Sequence, residues 1–120
     1  MTHSNGVVCV AVSDQEIGVD LELIRPQREG MAERVMNGAE LAAHRAAPDR
    51  NDHFVRVWSK KESLFKTLDQ RNATWEQIRA LDGAVYQQRI TIAQGSFWLS
   101  VATPYLDQVR IVTDVDLAKD

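Results

Sequence analysis

The side chains best suited to chemistry fall in two stretches. The first, Ile17-Gly18-Val19-Asp20-Leu21-Glu22-Leu23-Ile24, alternates apolar and polar positions. On a strand Ile17, Val19, Leu21 and Leu23 point one way, while Gly18, Asp20 and Glu22 point the other. Asp20 and Glu22 are then neighbours on one face, and two carboxylates held side by side repel until a cation lies between them. A hard divalent ion with oxygen ligands, such as Mg²⁺, suits them; the plain alternative is the solvated face of a half-buried strand. The second stretch is Trp58-Ser59-Lys60-Lys61-Glu62-Ser63-Leu64-Phe65-Lys66. At helical spacing Phe54, Val57, Trp58, Phe65 and Leu68 form one apolar stripe. Lys61 projects from the middle of it and needs a partner, because an unpaired buried charge is costly. Glu62 and Lys66, four apart, share one edge of the stripe. Here the plain alternative is an i,i+4 ion pair beside a lysine whose stem lies along apolar surface.

The elements that must position these residues follow from pattern and punctuation. Val7 to Val12 is continuously apolar and predicts a strand covered on both faces. The polar run Ser13 to Glu16 predicts a hairpin back to the acidic strand, which Arg25-Pro26 ends. Met31 to Met36 predicts a short helix. Asn37 with Glu40 three positions on has the form of a capping box for a second helix, ending at Ala46 before Pro48. His44 on that helix reads as a surface residue. Asn51 or Asp52 is the expected cap of the lysine-bearing helix, which runs to Leu68-Asp69. Asn72 to Thr74 can cap a short helix through Arg79. Val85 to Ala93 and Phe97 to Ala102 predict a hairpin turning at Gln94-Gly95, and Val109 to Val115 a last edge strand. Strands, then helices, then a meander predict an α+β domain spanning residues 1–120, with helices packed on one face of an antiparallel sheet.

Together the two stretches resemble the 4′-phosphopantetheinyl transferases. That family's signature is a strand reading (I/V)-G-(I/V)-D-x-E followed by a helix reading (W/F)-(S/A)-x-K-E-(S/A)-x-x-K, and every defined position is filled here. Thr2-His3-Ser4-Asn5-Gly6 is similar to the S-H-S-x-G element of the surfactin-synthetase-activating type, and Phe97 to Ala102 is similar to that type's closing core strand. The resemblance implies a β-α(3)-β(2) fold. It also implies transfer of the 4′-phosphopantetheine arm of coenzyme A to a serine of an apo acyl or peptidyl carrier protein, leaving adenosine 3′,5′-bisphosphate. In the roles it implies, Asp20, Glu22 and Glu62 hold Mg²⁺ or Mn²⁺, and Lys66 stabilises or protonates the leaving phosphate. Lys61 and His3 contact phosphate, and Glu40 lies near the site. The serine base is Glu62 or a metal-bound water. Ser63 is small as the motif requires. The surfactin-type enzymes are about twice this length, and this chain resembles their second half; the first half normally supplies basic residues for the 3′-phosphate and adenine. One wall of a nucleotide site is then expected from a second chain: a homodimer first, a trimer of the short holo-acyl-carrier-protein synthase kind second. Carrier proteins are acidic around the modified serine, which makes Arg25, Arg28 and Lys60 candidate docking residues. A non-catalytic relic that binds coenzyme A or a carrier protein is the alternative function.

Composition bounds the remaining classes. Hydrophobic residues make up 44% and charged residues 26%, an ordinary globular balance. A net charge of −3 argues against a nucleic-acid binder, which carries a basic face. A Mg²⁺-dependent nuclease of the D…(D/E)-x-K kind needs a lysine two positions after Glu22, where the chain has Ile24. The run Val7 to Val12 is far too short to span a bilayer. The amino terminus has no basic stretch and no apolar h-region, so a cytoplasmic location is expected. The single cysteine, Cys9, reads as a buried thiol in a reducing compartment.

Overall fold

The structure is a computed structural model. It describes residues 17–68 and 72–111, together with the backbone of the strands Thr2–Ser4 (β1) and Val7–Cys9 (β2). The remaining elements are β3 (Gly18–Leu23), four helices α1 (Met31–Val35), α2 (Gly38–Ala46), α3 (Arg50–Lys66) and α4 (Trp75–Ala80), then β4 (Tyr86–Ile92) and β5 (Gly95–Ala102). β5 is the middle of an antiparallel three-stranded sheet ordered β3-β5-β4, and β1 pairs with β2. This is the expected α+β architecture, with helices against one face of the sheet and four of them between β3 and β4.

The registers put the acids of β3 on the face toward α3. Asp20 lies opposite Ser100, and Val19 opposite Val101. Alternation then sends Val19, Leu21, Phe97, Leu99 and Val101 to the other face, where they form a buried cluster. Phe97 is wholly buried. Val109 and Ile111 pack against that cluster as irregular backbone after a 3₁₀ turn at Leu106–Gln108, not as the predicted strand. Near the start β2 pairs with β1, and β3 pairs with β5; the turn of the hairpin expected between the first apolar run and the acidic strand falls outside the described residues. Val10 to Glu16 and Val112 to Val115 lie outside the described residues.

Capping fixes where the helices begin. Asn37 and Glu40 form the reciprocal capping box of α2, and Thr74 with Gln77 does the same for α4. The cap of α3 is Asp49, whose carboxylate accepts from the Asp52 backbone N–H at 3.0 Å. Asp52 is instead a tie to the sheet: its Oδ1 accepts from Arg89 Nε at 3.0 Å and from Trp98 Nε1 at 3.1 Å.

α3 is buried on two sides. Phe54 and Val55 join Val35, Met36 and Ile78 in a helical core, with Val57, Trp58 and Phe65 half-buried against it. Leu68, assigned to the same stripe by periodicity, is exposed. Toward the sheet α3 offers Ser59 and Ser63, both wholly buried. Ser59 Oγ donates to Ser100 Oγ at 2.8 Å, and Gln87 Nε2 reaches the same oxygen at 2.9 Å, a polar seam that period counting cannot reveal. Across the helix layer, His44 of α2 is half-buried and meets His53 of α3 with their Nδ1 atoms 3.1 Å apart. Burial lowers both rings' pKa, and the nearby Arg50 adds to the effect on His44.

Candidate active site

Close contact between β3 and α3 creates the site. A Cβ on Gly18 would collide with the backbone carbonyl of Ser63, so only glycine lets the strand lie this near the helix. The small Ser59 and Ser63 complete the fit, and the acids of β3 come to lie beside Glu62 and Lys66. Asp20 is buried at 2% exposure. Its Oδ1 accepts from Lys66 Nζ at 3.1 Å, and the same ammonium donates to the Val19 carbonyl at 2.9 Å. Lys66 is thereby anchored to β3 by two of its three N–H groups, while its side chain stays 37% exposed.

The three carboxylates sense one another. Burial, then the charge of Asp20 and a hydrogen bond with it, push Glu22 up to about 8, with Glu62 adding to the shift and Lys66 opposing it. Burial and Asp20 also raise Glu62, again against Lys66. Asp20 Oδ2 is buried and has no donor while its neighbours are ionised. A hydrogen bond between Glu22 and Asp20 requires a proton on one of them, which is why it raises the Glu22 pKa. Among the described residues no three His, Cys, Asp or Glu side chains converge closely enough to hold a metal ion as they stand. The donor chemistry fits a hard cation all the same. All three groups are carboxylates, one buried oxygen is orphaned, and mutual repulsion is what a cation in their midst would relieve.

Lys61 and Glu40 are placed differently from the sequence reading. The Lys61 side chain is 1% exposed and its Nζ lies 2.9 Å from Glu40 Oε1. It also donates to the carbonyls of Ile78, Arg79 and Leu81 at 3.0–3.1 Å. Those carbonyls end α4, where the helix dipole favours a cation. Its three N–H groups face four acceptors within the fold, so Lys61 acts here as a structural cation. Glu40 is likewise committed, to the Asn37 cap and to Lys61. His3 lies in β1 opposite Val8, and its side chain lies outside the described residues. Lys60 is paired with Asp82 at 3.1 Å, which leaves Arg25 and Arg28 as the exposed members of the candidate docking set.

Comparison with known proteins identifies the family. The sequence model of the 4′-phosphopantetheinyl transferase superfamily matches residues 16–111, and the chain belongs to that family. It is 37% identical over 70 residues to the 4′-phosphopantetheinyl transferase ffp of Bacillus subtilis, covering 55% of this chain and 30% of that protein. It is 32% identical over 83 residues to the 4′-phosphopantetheinyl transferase HetI of a Nostoc strain, covering 65% of this chain and 35% of HetI. The Holo-[acyl-carrier-protein] synthase of Rhodopirellula baltica is 34% identical over 59 residues, covering 48% of this chain and 47% of that enzyme. The chain thus spans between about a third and a half of the length of these relatives. No solved structure matches it. None of the described helices is long and apolar enough to cross a membrane.

Proposed function

We propose that this chain carries the metal and phosphate half of a phosphopantetheinyl transfer site, which moves the 4′-phosphopantetheine arm of coenzyme A to a carrier-protein serine. The observation that supports the reading is the mutual electrostatic coupling of Asp20, Glu22 and Glu62, with Lys66 of α3 bonded to Asp20 and one buried Asp20 oxygen without a partner. Family membership supports the same reading.

Splitting a pyrophosphate linkage puts growing negative charge on the departing phosphate. Asp20, Glu22 and Glu62 would hold Mg²⁺, or Mn²⁺, which would supply charge neutralisation on the pyrophosphate oxygens. Lys66 is poised beside them, with one N–H beyond those given to Asp20 and Val19, and would donate it to the leaving phosphate. The raised pKa of Glu62 brings that carboxylate nearer the range in which a general base is effective, and it would take the proton of the attacking serine hydroxyl. Asp20, tied to Lys66 and buried, orients the lysine. The exposed Arg25 and Arg28 would meet the acidic surface of the carrier protein, and the affinity would fall as salt screens them. A second chain would complete the nucleotide pocket, since a ligand of this size is generally enclosed on several sides. The experiment is conversion of an apo carrier protein by the purified chain with coenzyme A and Mg²⁺, read by mass spectrometry of the carrier. The reading expects conversion that Asp20→Asn and Glu62→Gln abolish. Binding of coenzyme A without turnover at any Mg²⁺ concentration would make the chain a non-catalytic binder instead.

A further inference from the structure

The proposed transfer chemistry uses no histidine of the helix layer, yet two imidazoles face each other there. We propose that His44 of α2 and His53 of α3 form a binding site for one divalent transition cation of the Zn²⁺ class. Their Nδ1 atoms are 3.1 Å apart, with ring centroids at 5.3 Å and the planes tilted by 42°. Two imidazole nitrogens bound to one such ion at their usual lengths lie roughly 2.9–3.4 Å apart, between octahedral and tetrahedral angles. The pair is therefore already at the bite of a single ion, and no backbone shift is required to close it.

The surroundings define the ion. Phe54 stands edge-on to His44, centroids 6.5 Å apart, and backs the site with an apolar wall. Glu33, Glu40 and Asp52 lie within electrostatic reach and favour a cation; Arg45, Arg50 and Arg56 oppose it. Two nitrogen donors select a borderline ion over Mg²⁺ or Ca²⁺, which prefer oxygen, so this site and the acid cluster take different metals. Water fills the remaining positions. Each ring presents Nδ1 to the ion and carries its proton on Nε2, so a neutral pair binds by a change of tautomer with no net proton release. Because the two ligands sit on different helices, the ion clips α2 to α3 and stabilises the folded chain by mass action.

The competing state is a hydrogen bond between the rings with no metal affinity, and titration separates the two. The full chain, freed of metal with EDTA and then dialysed, is titrated with ZnCl₂ by calorimetry and by thermal melting. The proposal expects one saturable site and a rising Tm. His44→Gln and His53→Gln should each weaken the affinity at least tenfold, while Asp20→Asn leaves it unchanged and excess Mg²⁺ fails to compete. Nitrogen chemical shifts of the imidazoles in the unsubstituted chain supply a readout independent of any variant, with Nδ1 of both rings moving together. No uptake of Zn²⁺, or uptake that persists in the double variant or moves only His3, would overturn it.

Discussion

Asp20 is the residue on which the site turns, because one of its oxygens is spent on Lys66 and the other has no donor among ionised neighbours. Replacing Asp20 or Glu62 by its amide should lower transfer at least about a hundredfold, the scale seen when a preorganised charge is removed from a reacting centre. Stability without metal should hold or rise, since the repulsion among the acids relaxes. Kinetics and melts on the same preparations check both halves, and a variant that keeps full activity at saturating Mg²⁺ leaves the ligand set. Glu22 makes a pH prediction. Its pKa rises from 4.5 in the unfolded chain to about 8 in the fold, so between those values the folded state binds more protons. The stability contributed by protonated Glu22 is complete below pH 4.5 and is lost as pH rises toward 8. In EDTA the Tm of the chain should fall across that window, and Glu22→Gln, which cannot ionise, should flatten the fall. Superimposable profiles would contradict the assignment.

At the scale of elements, two contacts hold the site in register. Gly18→Ala drives a methyl into the Ser63 carbonyl and should cost about 2 kcal/mol in denaturant unfolding, with loss of activity as β3 and α3 part. Lys61→Met leaves Glu40 and three helix-ending carbonyls without their cation. Breaking a buried pair in this way costs about 3–5 kcal/mol, and adding Glu40→Gln should recover part of it. If Lys61→Met lowered turnover with unfolding unchanged, Lys61 would belong to the reaction after all. The sequence made these elements legible where one period dominates. The alternation of Ile17 to Leu23 correctly predicts a strand, and the Asn37–Glu40 box correctly predicts a helix start. It was silent where a long-range partner decides. Nothing local to Lys61 says that the end of α4 will supply its acceptors. Nothing local to His44 says that His53 waits across the seam. The cap of α3 was misread because Asp49, Asn51 and Asp52 are all good caps, and the pull of Arg89 and Trp98 on Asp52 is tertiary.

For the whole molecule, the α+β order was legible from the succession of patterns, but the pairing of β3 with β5 was not. That ladder joins residues from opposite ends of the described chain, and only the shared burial of Val19, Leu21, Phe97, Leu99 and Val101 selects it. If a second chain completes the nucleotide pocket, as proposed, self-association is linked to nucleotide binding. Sedimentation at micromolar concentration should therefore show assembly strengthened by coenzyme A with Mg²⁺. A compact monomer turning over at a normal rate would sink the idea of a shared pocket.

The most direct test of the account is single-turnover transfer from coenzyme A to an apo carrier protein, following the carrier's mass with time for the unsubstituted chain, Glu62→Gln and Lys66→Ala, each with Mg²⁺ and with EDTA. The account predicts a modified serine only in the unsubstituted chain with Mg²⁺, with both variants folded and slowed at least about a hundredfold. Transfer by Glu62→Gln at the unsubstituted rate, or undiminished transfer in EDTA, would contradict it.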